Sequence, residues 1–121
     1  MPLVCAIALL IAAFAVTGCG AATPVARVDD GRVAVTLDEY LISPQDIDVP
    51  AGRVTVTVSN HGRLRHSFHL WGAKGEPIAV KSLFGGDSAI RTATLQRGEY
   101  RMVCTIMNHA ELGMTGRLIV R

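Results

Sequence analysis

Aromatic residues are scarce in this chain of 121 residues: one Trp, two Tyr and three Phe, 5% of the total. Runs of basic residues are missing too, and 12 Lys and Arg against 10 Asp and Glu leave a formal charge of +2. Together these exclude the basic, aromatic-interleaved surface that nucleic-acid binding uses. No stretch shows helical periodicity, and there are no internal repeats or low-complexity segments. No apolar run is long enough to cross a bilayer comfortably, which takes about 20 residues. Cysteine occurs only three times, at Cys5, Cys19 and Cys104.

The longest apolar run, Leu3 to Val16, has 14 residues. That length suits the hydrophobic region of a secretory signal. No Lys or Arg precedes it, so the usual basic N-terminal region is missing. Val16-Thr17-Gly18-Cys19 follows and resembles the bacterial lipoprotein signal, in which cleavage precedes a lipid-modified cysteine. Residues 1–18 are therefore read as a lipoprotein-type signal peptide, with Cys19 as the lipidated residue. The protein is expected to be exported, to the periplasm or cell envelope, and anchored to the membrane through its lipid. Small residues and Asp29-Asp30-Gly31 make 19–31 read as a tether; the alternative for this stretch is an extra edge strand. The rest, 32–121, is long enough for one domain. Once Cys5 leaves with the signal and Cys19 carries lipid, Cys104 has no disulfide partner. A lone thiol outside the cytoplasm is a liability unless something holds it as a protected thiolate.

From Arg32 onward the apolar period is two. Val33, Val35 and Leu37 alternate with polar or small residues, and Val54, Val56 and Val58 alternate with Thr55, Thr57 and Ser59. Both patterns mark half-buried strands. Ile47 to Val49, His66 to Trp71, Thr92 to Leu95, Tyr100 to Cys104 and Gly116 to Val120 also read as strands. Ala73 to Ala93 reads as loop-rich, with weak strand character at Ile78 to Val80 and breakers at Gly75, Pro77 and Gly85-Gly86. Seven to eight short strands without a helix indicate an all-β sandwich.

The chemistry lies in the tail, where Cys104, His109 and Met114 follow one another as C-x4-H-x4-M. Two imidazoles and a thiolate in a trigonal plane, with a weak axial thioether, are the ligands of a type 1 copper site. The tail supplies one imidazole, so a second must come from upstream. In the strand from His66 to Trp71, His66 shares a face with apolar Phe68 and Leu70, whereas His69 shares the opposite one with Trp71. The inward face therefore selects His66. His61 and His69 are read as non-ligands, and Met102 and Met107 as core and surface packing. Zinc could use the same three strong ligands, but the Met spacing favours copper.

Val49 to Gly62 (V-P-A-G-R-V-T-V-T-V-S-N-H-G), His66 to Phe68 (H-S-F) and Tyr100 to Val120 resemble the cupredoxins, the family of plastocyanin, azurin, auracyanin and rusticyanin. The resemblance covers Val33 to Val120. It implies a cupredoxin-like Greek-key β-sandwich with a single type 1 copper held by His66, Cys104, His109 and Met114. It further implies an apolar patch of Met107, Ala110 and Leu112 around His109, where electrons pass. Many relatives carry Asn after the first histidine, where this chain has Ser67. Asn60 is expected to cap the turn before the ligand strand.

The expected function is one-electron transfer between a donor and an acceptor redox protein, by a monomer that binds no nucleic acid. Periplasmic copper storage, delivery or resistance is the alternative. Proteins of that kind often carry Met- and His-rich stretches, and here four Met and four His are scattered. Enzymatic activity is not expected, because His61 and His69 are too few for an additional trinuclear cluster.

Overall fold

Val54, Val56 and Val58 are each no more than 1% exposed, while the threonines between them are half-buried. That period of two makes Gly52–Asn60 a strand with one face in the core. The computed structural model describes residues 15, 18, 20 and 22–121. Among the described residues there are ten strands and no helix. They are β1 (Val25–Arg27), β2 (Arg32–Asp38), β3 (Leu41–Ser43), β4 (Asp46–Val49), β5 (Gly52–Asn60), β6 (His66–Gly72), β7 (Gly75–Leu83), β8 (Ser88–Leu95), β9 (Gly98–Val103) and β10 (Thr115–Val120).

Two mixed sheets face each other. One has six strands in the order β1-β4-β10-β9-β6-β7; the other has four in the order β3-β2-β5-β8. Between them lies the core, in which Leu37, Ile47, Phe68, Leu70, Met102 and Leu118 are each 1% exposed or less. Burial of each such side chain is worth about 1.5–3 kcal/mol. Side-chain bonds also tie neighbouring strands of the six-stranded sheet together. Arg117 on β10 makes two hydrogen bonds to the Asp46 carboxylate on β4, of 3.0 and 3.1 Å. Arg121 bonds to Asp48, Asp29 and the Val28 carbonyl, tying the C-terminus to the segment after β1.

The all-β sandwich expected from the sequence is the fold observed, with ten strands rather than seven or eight. Two short strands, β1 and β3, account for the difference. β1 falls within the expected tether and pairs in parallel with β4, Val25 opposite Asp46; the folded part therefore reaches back at least to Val25. Residues 75–83 and 88–95, read mostly as loop, are full strands. β8 lies at a sheet edge and turns small Ala89 and Ala93 toward the core, so its alternation is inconspicuous. In β7 a register shift opposite His66 and Phe68 breaks the period. Lipidation at Cys19 and most of the signal-peptide segment lie outside the described residues.

Four features converge at one end of the sandwich: the turn between β2 and β3, the turn between β5 and β6, the start of β6 and the loop between β9 and β10. Asn60, the last residue of β5, is fully buried and organises that end. Its side-chain NH2 donates to the carbonyls of Leu64 (2.8 Å) and Leu83 (2.9 Å), and its oxygen accepts the Gly62 N–H at 2.9 Å. The expected cap at Asn60 is thus a three-way tie that fixes where β6 begins.

Candidate metal centre

His66 opens β6 with its side chain fully buried, on the same face as Phe68 and Leu70. His69 lies on the opposite face, where its Nδ1 pairs with Glu76. Strand parity therefore does separate the two histidines, as the sequence pattern implied. Cys104 follows the last residue of β9 and is also fully buried. The loop to β10 then folds back on itself. His109 N–H donates to Ile106 C=O at 3.1 Å, and Met114 N–H to His109 C=O at 3.0 Å. Cys104 N–H donates to Met114 C=O at 3.1 Å, which closes the loop. Gly113, at φ +119°, makes the turn into Met114 that an L side chain would resist. Met107 is left-handed as well (φ 46°) and 88% exposed.

These constraints bring His66, Cys104 and His109 together, with one donor atom from each lying within 4.8 Å of the others. His66 Nδ1 and His109 Nδ1 are 3.2 Å apart, and Cys104 Sγ is 3.6 Å from His109 Nδ1. For metal–ligand bonds of about 2.0–2.3 Å in a trigonal plane, those separations would be about 3.5 and 3.8 Å. The donor set fits a metal ion after only a slight opening. Met114 is fully buried at the end of the same loop.

The surroundings tune each donor. Ser67 N–H points at Cys104 Sγ across 3.4 Å. Ser67 Oγ accepts the Thr105 N–H at 2.8 Å and lies 2.9 Å from the Thr105 hydroxyl. Ser67 thus ties the start of the ligand loop to β6 through its hydroxyl. His109 is 4% exposed, and burial together with the neighbouring His66 charge holds its pKa below the ordinary histidine value. Tyr40 packs against its ring with centroids 5.0 Å apart. Of the expected apolar patch, Met107 and Leu112 are exposed at 88% and 50%, and Ala110 is half-buried.

One residue at the site gave no signal in the sequence. Glu39, in the turn after β2, places Oε1 3.2 Å from His66 Nε2 and accepts the Leu64 N–H at 2.7 Å. The Leu64 amide, with a contribution from the His66 ring, lowers its pKa to about 2. Its partners lie more than twenty positions along the chain, so no local spacing could reveal it.

A helix-free sandwich that buries two imidazoles and a thiolate around one point defines a mononuclear metal-binding protein. The chain belongs to the cupredoxins: the family model for the cupredoxin-like domain matches residues 6–120. Proteins of this family bind one type 1 copper, and His66, Cys104 and His109 are positioned as its ligands. Among solved structures, the chain is similar to Na-dithionite-reduced auracyanin from the photosynthetic bacterium Roseiflexus castenholzii. The TM-score is 0.70 at 21% identity, over 78% of this chain and 99% of that one. It is also similar to reduced rusticyanin, with a TM-score of 0.66 at 20% identity, over 80% of this chain and 84% of that one. A copper-containing nitrite reductase from Thermus scotoductus gives a TM-score of 0.62 at 21% identity. That likeness spans 80% of this chain but 28% of the reductase, one part of a larger enzyme. At such identities the likeness is one of fold. No curated protein matches the chain.

Proposed function

We propose that this protein is an exported one-electron carrier with a single type 1 copper, which His66, Cys104, His109 and Met114 would hold. The observation behind this reading is the buried convergence of one ring nitrogen from each histidine and the Cys104 Sγ within 4.8 Å of one another. When bound, copper supplies a one-electron couple between Cu(I) and Cu(II). The chain supplies the rest. Its donors come from a strand start and a self-closed loop, so the site is largely preformed and little need move when charge changes. The Ser67 amide orients the thiolate, and exposed Met107 and Leu112 offer a dry contact beside His109 for a donor or acceptor protein. The mature chain works as a monomer, tethered outside the cytoplasm through lipid on Cys19.

Nothing adds a second metal group among the described residues. His61 is exposed and His69 is occupied by Glu76. The family consists mostly of electron carriers, which agrees with a role that is not enzymatic. Storage or delivery of copper, the alternative, calls for ligands that exchange. Here the three strong ligands are 4% exposed or less, which favours retention.

A redox titration of the copper-loaded chain, followed by a Cu(I) chelator challenge, separates the two readings. A carrier cycles reversibly by one electron and keeps its metal in both states. Rapid surrender of Cu(I) to the chelator would favour copper handling. Radiolabelled-lipid incorporation, lost in Cys19→Ala, tests the anchor.

A further inference from the structure

We infer that Glu39 is a positioning residue for the metal centre: its carboxylate accepts the Nε2–H of His66 and thereby fixes the tautomer that turns Nδ1 toward the other ligands. This rests on the proposal that His66 binds the metal. A neutral imidazole has one protonated and one bare nitrogen, and only the bare one can ligate. Partners of the remote nitrogen decide which is which, and ligating histidines commonly use a carboxylate for this.

Three observations place Glu39 in that role. Its Oε1 is 3.2 Å from His66 Nε2, whereas the other ring nitrogen faces His109 Nδ1 at 3.2 Å. The carboxylate is itself held, because the Leu64 N–H donates to the same oxygen at 2.7 Å. Room for it is made by a glycine: a Cβ on Gly62 would lie 2.5 and 2.8 Å from the two carboxylate oxygens. A side chain at Gly62, four residues before β6, would thus have to push the Glu39 carboxylate out of its present position. The His66 side chain is fully buried, and the Glu39 carboxylate is the hydrogen-bond partner its Nε2 has.

A consequence follows for the metal-free chain. If His66 keeps its proton on Nε2, the contact of 3.2 Å between the two Nδ1 atoms needs a proton from His109. The metal-free state is therefore His66 Nε2–H with His109 Nδ1–H. A second consequence concerns charge. A carboxylate one imidazole away from the metal favours Cu(II) over Cu(I), so its loss raises the reduction potential.

The test uses the full-length chain in detergent, with 15N-labelled histidine, as wild type, Glu39→Ala and Glu39→Gln. Long-range 1H–15N spectra of the metal-free protein read the His66 tautomer directly. The wild type is expected to show Nε2–H, Glu39→Ala a mixture, and Glu39→Gln the wild-type tautomer, since its amide oxygen still accepts both donors. With copper, Glu39→Ala should bind Cu(II) about 10- to 100-fold more weakly. If Cu(I) affinity is unchanged, that equals a rise in potential of about 59–118 mV. Glu39→Gln should raise the potential while keeping the tautomer, which a purely structural role would not do. A wild-type His66 protonated on Nδ1, or a Glu39→Ala protein with unaltered tautomer and Cu(II) affinity, would overturn the inference. Should Glu39→Ala not fold, Glu39→Gln with an unchanged potential overturns it equally. If the wild type shows the predicted tautomer but binds no Cu(II), the carrier reading fails while the role of Glu39 in orienting His66 stands.

Discussion

Replacing Ser67 with alanine removes one hydroxyl from the metal centre, and the structure says which of two effects should dominate. Ser67 Oγ accepts the Thr105 N–H at 2.8 Å and sits 3.7 Å from Cys104 Sγ. The sulfur keeps its shorter bond, from the Ser67 amide at 3.4 Å, because the backbone is untouched. The Thr105 amide loses its acceptor, at a cost of about 1–3 kcal/mol. Thr105 is itself exposed, so partial rescue by water puts the expected loss near the lower half of that range. With a urea m-value of about 1–3 kcal/mol/M, the unfolding midpoint of the metal-free protein should fall by roughly 1 M. Fluorescence of Trp71, the single tryptophan, reports the transition. Losing a weak donor makes the thiolate bind Cu(II) better, so the potential should fall, but by less than the roughly 59 mV that a tenfold change represents. An unchanged midpoint together with a fall well beyond 59 mV would refute this assignment; the hydroxyl would then serve the sulfur and not the ligand loop.

Asn60→Ala strands two carbonyls and one amide, all at the base of the ligand turn. It should destabilise the metal-free protein by about 3–5 kcal/mol, at about 1–3 kcal/mol per unpaired group with partial relaxation, as measured by denaturant unfolding. Met114→Leu conserves volume at a fully buried site and should cost under about 1.5 kcal/mol; with copper it should keep the type 1 spectrum and raise the potential, because a weak axial donor is gone. The metal-free protein should lose stability as pH falls below about 6.5, because His109 binds its proton less readily folded than unfolded. Its contribution is complete above the unfolded pKa and disappears as pH drops toward the lower folded value, with a slope of at most about 1.4 kcal/mol per pH unit for one proton. Bound metal competes with that proton, so copper loading should move the acid transition to lower pH; thermal unfolding across a pH series checks both.

Much of the centre was legible because it is local. Cys104, His109 and Met114 share one loop, and their spacing survives in the primary structure. His66 was recoverable through the parity of its strand, where apolar Phe68 and Leu70 mark the inner face. Glu39 was invisible for the opposite reason. It meets His66 only because the β2–β3 turn packs against the β5–β6 turn, a tertiary event with no periodicity. The same reasoning covers the fold. β5 advertises itself with three buried valines alternating with polar residues. β8 hides, since an edge strand with alanines facing in needs no large apolar side chains. β1 is three residues long and earns its place by pairing with β4, which no pattern within it could foretell.

The central claim is a type 1 copper held by His66, Cys104 and His109. Visible absorption and electron paramagnetic resonance spectra of the full-length chain loaded with Cu(II), beside Cys104→Ala, test it most directly. An intense thiolate-to-copper band with narrow copper hyperfine splitting, absent from the variant, is the predicted result. A colourless protein, or one with a spectrum indifferent to Cys104, would contradict the account.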